Sequence, residues 1–435
     1  MPQNKIYKNQ NYFDKFEPKS MVPNINIYWK KAKDFYVWDK KNKKYIDFTS
    51  TIFVSNIGHS NPKLIKKIED VLKNPISHSY IYYNKYRQEY VSKLIKFVNK
   101  KSLNKCFFMS SGTESTEAAL KLIRLNGLKK HKEKKGIICL SGNWHGRTMG
   151  AQLLSDNQNQ SKWITNKDKD IYHIDFPYPW IKGYNEKGFF LNSIKKKFKS
   201  NFKFDKKISG IMIEAFQGWG AFFYPKNYIN ELKKFAKKNK ILIAIDEMQS
   251  GFARTGKKFC FEHYNFVPDI VCCGKGMGSG VPISGIITSK KIMSIPDANL
   301  QSTHSGNPIS CAAGSATLDE IKRLDLVSET NKKGKIFKEY LDNFSQKYSN
   351  IIRCVTGKGL IGAIIFKNFK KIDAKEIADK ISMNCFKKNL LVVNTGRDSI
   401  KLGPPLTITT KALIDSMQII ENSIIKFYNE NSKKF

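Results

Sequence analysis

The sequence predicts an α/β fold: a large domain on a mainly parallel, wound seven-stranded sheet, plus a smaller α+β domain. Three observations predict it. From about residue 61 to 305, short apolar runs alternate with lysine-rich amphipathic stretches, the pattern of a parallel sheet covered on both faces. Beyond residue 306 the alternation gives way to a long helical pattern, short strands and a closing helix. The first sixty residues carry a hairpin pattern and are expected to pack with that last region. The division expected is therefore 1–60, 61–305 and 306–435.

In chain order, YVWDKKNKKYIDFTSTI alternates aromatic and polar positions around a turn, which reads as a hairpin. Seven apolar runs then supply the sheet: CFFMS (106–110), GIICLSG (136–142), DIYHID (170–175), ISGIMIEA (208–215), ILIAIDE (241–247), DIVCCG (269–274) and GIIT (285–288). Helical stretches such as NYINELKKFAKKNK (227–240) lie between several of them. A long helix is predicted from Asn307–Pro308, followed by strands in GKGLIGAIIF (357–366) and NLLVVNT (389–395). In wound sheets ligands sit at the carboxyl ends of the strands.

Composition narrows the function classes. The 435 residues carry a formal charge of +39, which invites a nucleic-acid reading. Only seven of the 76 basic residues are arginine, leaving 69 lysines spread along the whole chain. Phosphate and base recognition favours arginine's fork and clustered charge, so no nucleic-acid partner is expected. No apolar run reaches the roughly twenty residues of a membrane span. The polar opening MPQNKIYKNQNYFDKFEPKS has no export signal, so a cytoplasmic location is expected. The eight cysteines are scattered without a CxxC pair and read as buried free thiols, with no metal site. Adjacent Cys272 and Cys273 are expected on opposite faces of a strand.

The strand ends carry the chemistry. Ser111-Gly112-Thr113-Glu114 follows CFFMS and opens a helix; its free N–H groups can cradle a phosphate, although alone a capping sequence is the commoner reading. After GIICLSG comes Asn143-Trp144-His145-Gly146-Arg147-Thr148, where Trp144 can stack on an aromatic ring and Arg147 can fork onto a carboxylate. Asp246 ends ILIAIDE, with Gln249 close behind; such a carboxylate either caps the next turn of chain or holds the protonated ring nitrogen of pyridoxal phosphate. Lys275 lies in CCGKGMGSG, after an apolar strand and between glycines that let a ring approach the backbone. Desolvation there lowers a lysine's pKa, as an imine-forming amine requires. Thr303, in STHSGNP, offers a hydroxyl before a helix start.

The ordered series SGTE, WHGRT, IDEMQSGFARTG, GKGMGSGVPISG and THSGNP resembles the class III, or omega-, aminotransferases of pyridoxal-phosphate fold type I, over nearly the whole chain. The resemblance implies that Lys275 attaches the cofactor, Asp246 meets the pyridine nitrogen and Gln249 the ring hydroxyl. It implies Gly112 and Thr113 at the phosphate, with Thr303 reaching it from the second subunit of a homodimer. Trp144 would stand where the family has Tyr or Phe on the ring, and Arg147 matches the arginine that grips a substrate carboxylate in several members.

Two positions depart from the family. Many members carry Gln-Gly-Glu-Gly where this chain has Gln217-Gly218-Trp219-Gly220, and the arginine that pairs with that glutamate is here Lys401. Lys401 would hold a carboxylate only as a point charge, and Trp219 suits a smaller acceptor or a bulkier donor. The expected activity is transfer of an amino group from an omega-amino acid or amine, such as 4-aminobutyrate, to pyruvate or 2-oxoglutarate. Other pyridoxal-phosphate chemistry (an aminomutase, racemase or decarboxylase) is the alternative, with a basic binding protein behind it.

Overall fold

The computed structural model describes residues 15–18, 20, 25, 27–74, 76–295 and 298–432; the opening polar segment, which bears on export, lies mostly outside them. The hairpin forms as predicted. β1 (Trp29–Lys33), β2 (Tyr36–Asp39) and β3 (Lys44–Asp47) make an antiparallel meander.

All seven apolar runs become strands of a single sheet: β4 (Lys105–Met109), β5 (Gly136–Leu140), β6 (Ile171–Ile174), β7 (Ile208–Glu214), β8 (Leu242–Asp246), β9 (Ile270–Cys273) and β10 (Ser284–Thr288), in the order β4-β10-β9-β8-β7-β5-β6. Five neighbouring strands run parallel, while β10 is antiparallel to both β9 and β4. The reversal has a simple cause. The link from β9 to β10, residues 274–283, is shorter than the dozen or more residues of a parallel crossover. That short link carries Lys275 and keeps it at the carboxyl end of β9.

The central strands are buried on both faces, as a covered parallel sheet requires. Met212, Ala244 and Cys272 face the core under the Gly112–Leu128 helix. Ile213, Ile245 and Cys273 face the larger core shared with the rest of the molecule. Cys272 and Cys273 thus part to opposite faces, and all eight cysteines are free.

In the smaller domain the run 357–366 is not one strand. β11 (Ile352–Lys358) and β12 (Ile361–Phe366) form a hairpin that turns at Gly359-Leu360. Gly359 has φ 57°, and a Cβ there would meet the backbone of Arg254, Thr255 and Gly256 at 2.5–2.8 Å, so the turn needs glycine. The run 389–395 is divided as well. β13 (Leu390–Leu391) pairs in parallel with β3, whereas β14 (Val393–Asn394) pairs with β15 (Ser399–Leu402) in the sheet of β11 and β12. The N-terminal meander is thereby stitched to the C-terminal part. Asn307 caps the Pro308–Arg323 helix by accepting from the amides of Ile309 and Ser310, and the Thr410–Ser432 helix closes the chain. Among the described residues no helix is long and apolar enough to cross a membrane.

One backbone feature prepares the site. Ser50, Thr51, Ile52 and Phe53 take φ of 46°, 52°, 62° and 64°, a single left-handed turn. L-residues disfavour it by about 1–2 kcal/mol each. Ser50 Oγ donates to Gly403 O at 2.7 Å, and Phe53 N donates to Thr49 O at 2.9 Å. The turn delivers Phe53, buried, beside Lys401.

Candidate active site

Strand register assembles the site. Glu214 pairs with Asp246, and Asp246 with Cys272, so the last residues of β7 and β8 and the next-to-last of β9 form one row. Paired residues in a sheet point to the same side, here the face covered by the Gly112–Leu128 helix. Three residues past Cys272, Lys275 sits at φ 46°. Its amine makes no hydrogen bond or ion pair within the described residues, yet it feels the charge of both Asp246 and Glu214. Burial drives its pKa below that of an ordinary lysine, and the two carboxylates only partly oppose the shift.

The glycines flanking Lys275 serve packing of their own. A Cβ on Gly274 would lie 2.5 Å from Met248 Sδ, and one on Gly276 would lie 2.4 Å from Asn56 Nδ2.

Asp246 is buried and oriented twice over. Oδ2 lies 2.9 Å from His145 Nδ1, and Oδ1 accepts from Met248 N at 2.9 Å. His145 is in turn held by its surroundings: its amide donates to Ser155 Oγ (2.7 Å), and its carbonyl accepts from Thr116 Oγ1 (2.8 Å). Asn143 Nδ2 lies 3.3 Å from its Nε2, which fits a ring that donates through Nδ1 to Asp246. The motifs alone assign His145 no role. A signal is nonetheless present, in the strand-end segment that supplies Trp144 and Arg147 and in a chain with only seven histidines.

Glu214 likewise goes unassigned by the motifs, although it ends its strand just as Asp246 does. It accepts from Trp144 N at 3.0 Å and is buried, which pushes its carboxyl up to about 7; the nearby Asp246 adds to that rise, against His145.

At the first turn of the Gly112–Leu128 helix, Glu114 Oε2 accepts from the amides of Ser110 (3.1 Å) and Ser111 (2.7 Å). The capping reading therefore holds, and it leaves the amides of Gly112 and Thr113 without an acceptor among the described residues. A Cβ on Gly112 would press on Met248 Sδ at 2.9 Å. Thr113 Oγ1 lies 2.5 Å from Thr148 Oγ1. Helix amides, an oriented carboxylate and an amine with no partner among the described residues suit the phosphate, ring nitrogen and aldehyde of pyridoxal phosphate.

The remaining predicted residues fall in two groups. Gln249 Oε1 accepts from Lys401 Nζ at 2.7 Å, and Lys401 also donates to Gly218 O at 2.5 Å and lies 4.5 Å from the Phe53 ring. Buried, and near the charge of Lys275, Lys401 falls to about 7, against the pull of Glu214. Trp219 donates to Gln217 Oε1 at 2.8 Å. Trp144 is half-buried with the exposed Arg147 guanidinium 5.0 Å over its ring. Thr303 stands apart from these in the single chain: it is exposed, with its carbonyl 2.8 Å from His78 Nε2.

The aminotransferase class-III family model matches residues 18–424. Acetylornithine aminotransferase of Caldanaerobacter subterraneus subsp. tengcongensis is 30% identical over 413 residues, covering 94% of this chain and 98% of that protein. A leucine/methionine racemase of Thermococcus litoralis is 29% identical over 418 residues, covering 94% and 93%. The crystal structure of acetylornithine aminotransferase from Elizabethkingia anophelis superposes with a TM-score of 0.79 at 25% identity, covering 97% and 99%. The site and the reach of these matches lead to one conclusion: the chain belongs to the class III aminotransferases, enzymes dependent on pyridoxal phosphate.

Proposed function

We propose that this aminotransferase takes the terminal amine of an omega-amino acid and passes it to a 2-oxo acid, pyruvate or 2-oxoglutarate. Acetylornithine, named for the relative above, and 4-aminobutyrate are both amines of this kind. The observation that carries the reading is the row Glu214–Asp246–Cys272 with the unpartnered Lys275 amine just beyond it.

Pyridoxal phosphate, when bound, draws electrons from the substrate carbon through its protonated ring. Asp246, aimed by His145 and by the Met248 amide, is the group to hold that ring proton. The amides of Gly112 and Thr113 are the groups for the phosphate, and Gln249 for the ring hydroxyl. Lys275, its pKa lowered by burial, would supply the amine that holds the cofactor and would carry the proton from the substrate carbon. Arg147 orients a substrate carboxylate. One site serves both half-reactions, so the kinetics are ping-pong.

The test is a panel of amines (N-acetylornithine, 4-aminobutyrate, β-alanine) against pyruvate and 2-oxoglutarate, scored by oxo product and by loss of the cofactor's visible absorbance. Bleaching by a terminal amine with release of its oxo product supports the reading; none from any amine sinks it. The racemase relative supports a second reading. An amino acid returned as its mirror image, without oxo product, would establish that reading instead.

The working unit in this reading is a homodimer, with Thr303 completing the phosphate site of the partner. The turn Tyr80–Tyr83 supports it. Ile81, Tyr82 and Tyr83 are 58%, 75% and 100% exposed, yet Arg87 pins the turn through the carbonyls of Tyr80, Ile81 and Tyr82 at 2.9–3.2 Å. A rigid exposed apolar turn suits an interface. Light scattering that gives a monomer at working concentration would refute this assembly.

A further inference from the structure

The seven arginines can be accounted for one by one. Arg254 is buried among backbone carbonyls, and Arg87 pins the Tyr80–Tyr82 turn. Arg124 pairs with Asp168 at 2.7 Å, and Arg323 with Glu320 at 2.6 Å. Three are left: Arg147, Arg353 and Arg397. None of these guanidiniums makes a hydrogen bond or an ion pair within the described residues. Each lies over a tryptophan instead, Arg147 on Trp144 at 5.0 Å, Arg353 on Trp180 at 5.2 Å and Arg397 on Trp219 at 5.0 Å.

Trp180 and Trp219 belong to one cluster, their rings 6.4 Å apart, with Tyr178 stacked on Trp180 at 4.7 Å and 7°. The cluster is fixed to the site. Trp219 Nε1 is engaged by Gln217 Oε1, and the neighbouring Gly218 carbonyl takes the Lys401 ammonium. The tryptophans come from loops of the large domain, after β6 and β7. The arginines come from the small domain, one on β11 and one just before β15. Ligand sites favour such junctions.

Lys401, the residue expected to hold a carboxylate, has two of its three donors on protein acceptors and the Phe53 ring close by. A carboxylate of the substrate needs another partner. Asp398 is the acid within electrostatic reach of both Arg353 and Arg397; half-buried, it pairs with neither. A guanidinium held over an indole, with no protein acceptor on its nitrogens, keeps its fork free for a carboxylate.

We propose that Arg397, supported by Arg353, forms a carboxylate site on the Trp219–Trp180 rim, so that the oxo-acid acceptor is a dianion, with Arg147 the group for its second carboxylate. This rests on the aminotransferase reading for the identity of the ligand, while the anion site itself is testable without turnover. The probe is glutarate, a dicarboxylate with neither amine nor oxo group, titrated into the holoenzyme and followed by intrinsic tryptophan fluorescence, with acetate as the monocarboxylate comparison.

Glutarate is expected to bind more tightly than acetate. Arg397→Gln should weaken glutarate at least about tenfold, the loss of one hydrogen-bonded charge. Arg353→Gln should weaken it less, and Arg397→Lys should fall between wild type and Arg397→Gln. The ratio of kcat/KM for 2-oxoglutarate over pyruvate should drop with Arg397→Gln by a similar factor. Equal glutarate affinity in wild type and Arg397→Gln overturns the proposal. Amino transfer with an unchanged acceptor ratio in Arg397→Gln also overturns it and leaves the aminotransferase reading intact. Arg397-dependent glutarate binding in an enzyme that transfers no amino group supports the anion site and defeats the substrate assignment instead.

Discussion

Burial lowers the pKa of both lysines of the site, and their partners decide the use of each. Lys275 has carboxylates within electrostatic reach but no acceptor among the described residues, which leaves its amine for the cofactor. Replacing it with alanine should abolish the cofactor's visible absorbance and cut turnover by at least about 100-fold, the lower range for a lost acid–base group. Retained absorbance in Lys275→Ala would remove the assignment. Lys401 donates to Gly218 O and Gln249 Oε1, and burial pulls it down to about 7 from the ordinary 10.5. Between those values the unfolded chain binds a proton that the folded chain does not. Stability at this residue therefore increases as pH rises from about 7 to about 10.5, and below 7 the full desolvation cost of Lys401 weighs on the fold. The stability of wild type relative to Lys401→Met should climb across that window by on the order of a few kcal/mol. A flat difference in melting experiments across the window would show that Lys401 is not buried as a charge-sensitive group.

At the scale of elements, contacts can reverse an intrinsic propensity. Gly127 lies in the last turn of the Gly112–Leu128 helix, where alanine ordinarily stabilises a helix by about 1 kcal/mol. Here a Cβ would stand 2.0 Å from the Lys134 carbonyl oxygen and 2.6 Å from Ser209 Cβ. Backbone cannot step aside, so Gly127→Ala should destabilise by roughly 1–3 kcal/mol, read as a lower urea midpoint. A midpoint unchanged or raised would mean the helix end is looser than its contacts indicate. The same contrast explains what is legible in the sequence. The central strands of the large sheet can be read because a strand covered on both faces is a continuous apolar run, and Asp246 and Lys275 stand where such runs stop. The small-domain strands differ from expectation because two contiguous apolar runs each hide a break. One break is a hairpin turn whose glycine is required by a distant backbone, the other a two-residue strand that leaves for a different sheet. His145 and the left-handed turn at Ser50–Phe53 depend on residues that only folding brings near, Asp246 for one and Gly403 for the other. Neither partner is local in sequence.

At the scale of the whole molecule, Arg254 joins three stretches of chain. It leaves the loop after β8 in the large domain and is fully buried. Its Nη1 donates to Leu360 O at 3.1 Å and to Pro404 O, both in the small domain. Its Nη2 donates to Asn56 Oδ1 at 2.7 Å and Ser50 Oγ at 3.3 Å, both in the N-terminal segment. Leu360 N returns a bond of 3.1 Å to the Arg254 carbonyl. Burial pulls the guanidinium down to about 9, with only the charge of Asp47 opposing, so its place is held by this ring of neutral acceptors. Removing the side chain leaves buried carbonyls unpaired and opens a cavity where the three segments meet. Arg254→Ala should cost roughly 3–5 kcal/mol. It should also uncouple the parts, so that calorimetry shows the small domain melting ahead of the large one where wild type melts with the two linked. Arg254→Lys keeps the charge and loses the fork, and should recover only part of that stability. If Arg254→Ala melts in one transition at the wild-type temperature, the junction is held by its apolar contacts alone, and the buried guanidinium is not what joins the domains.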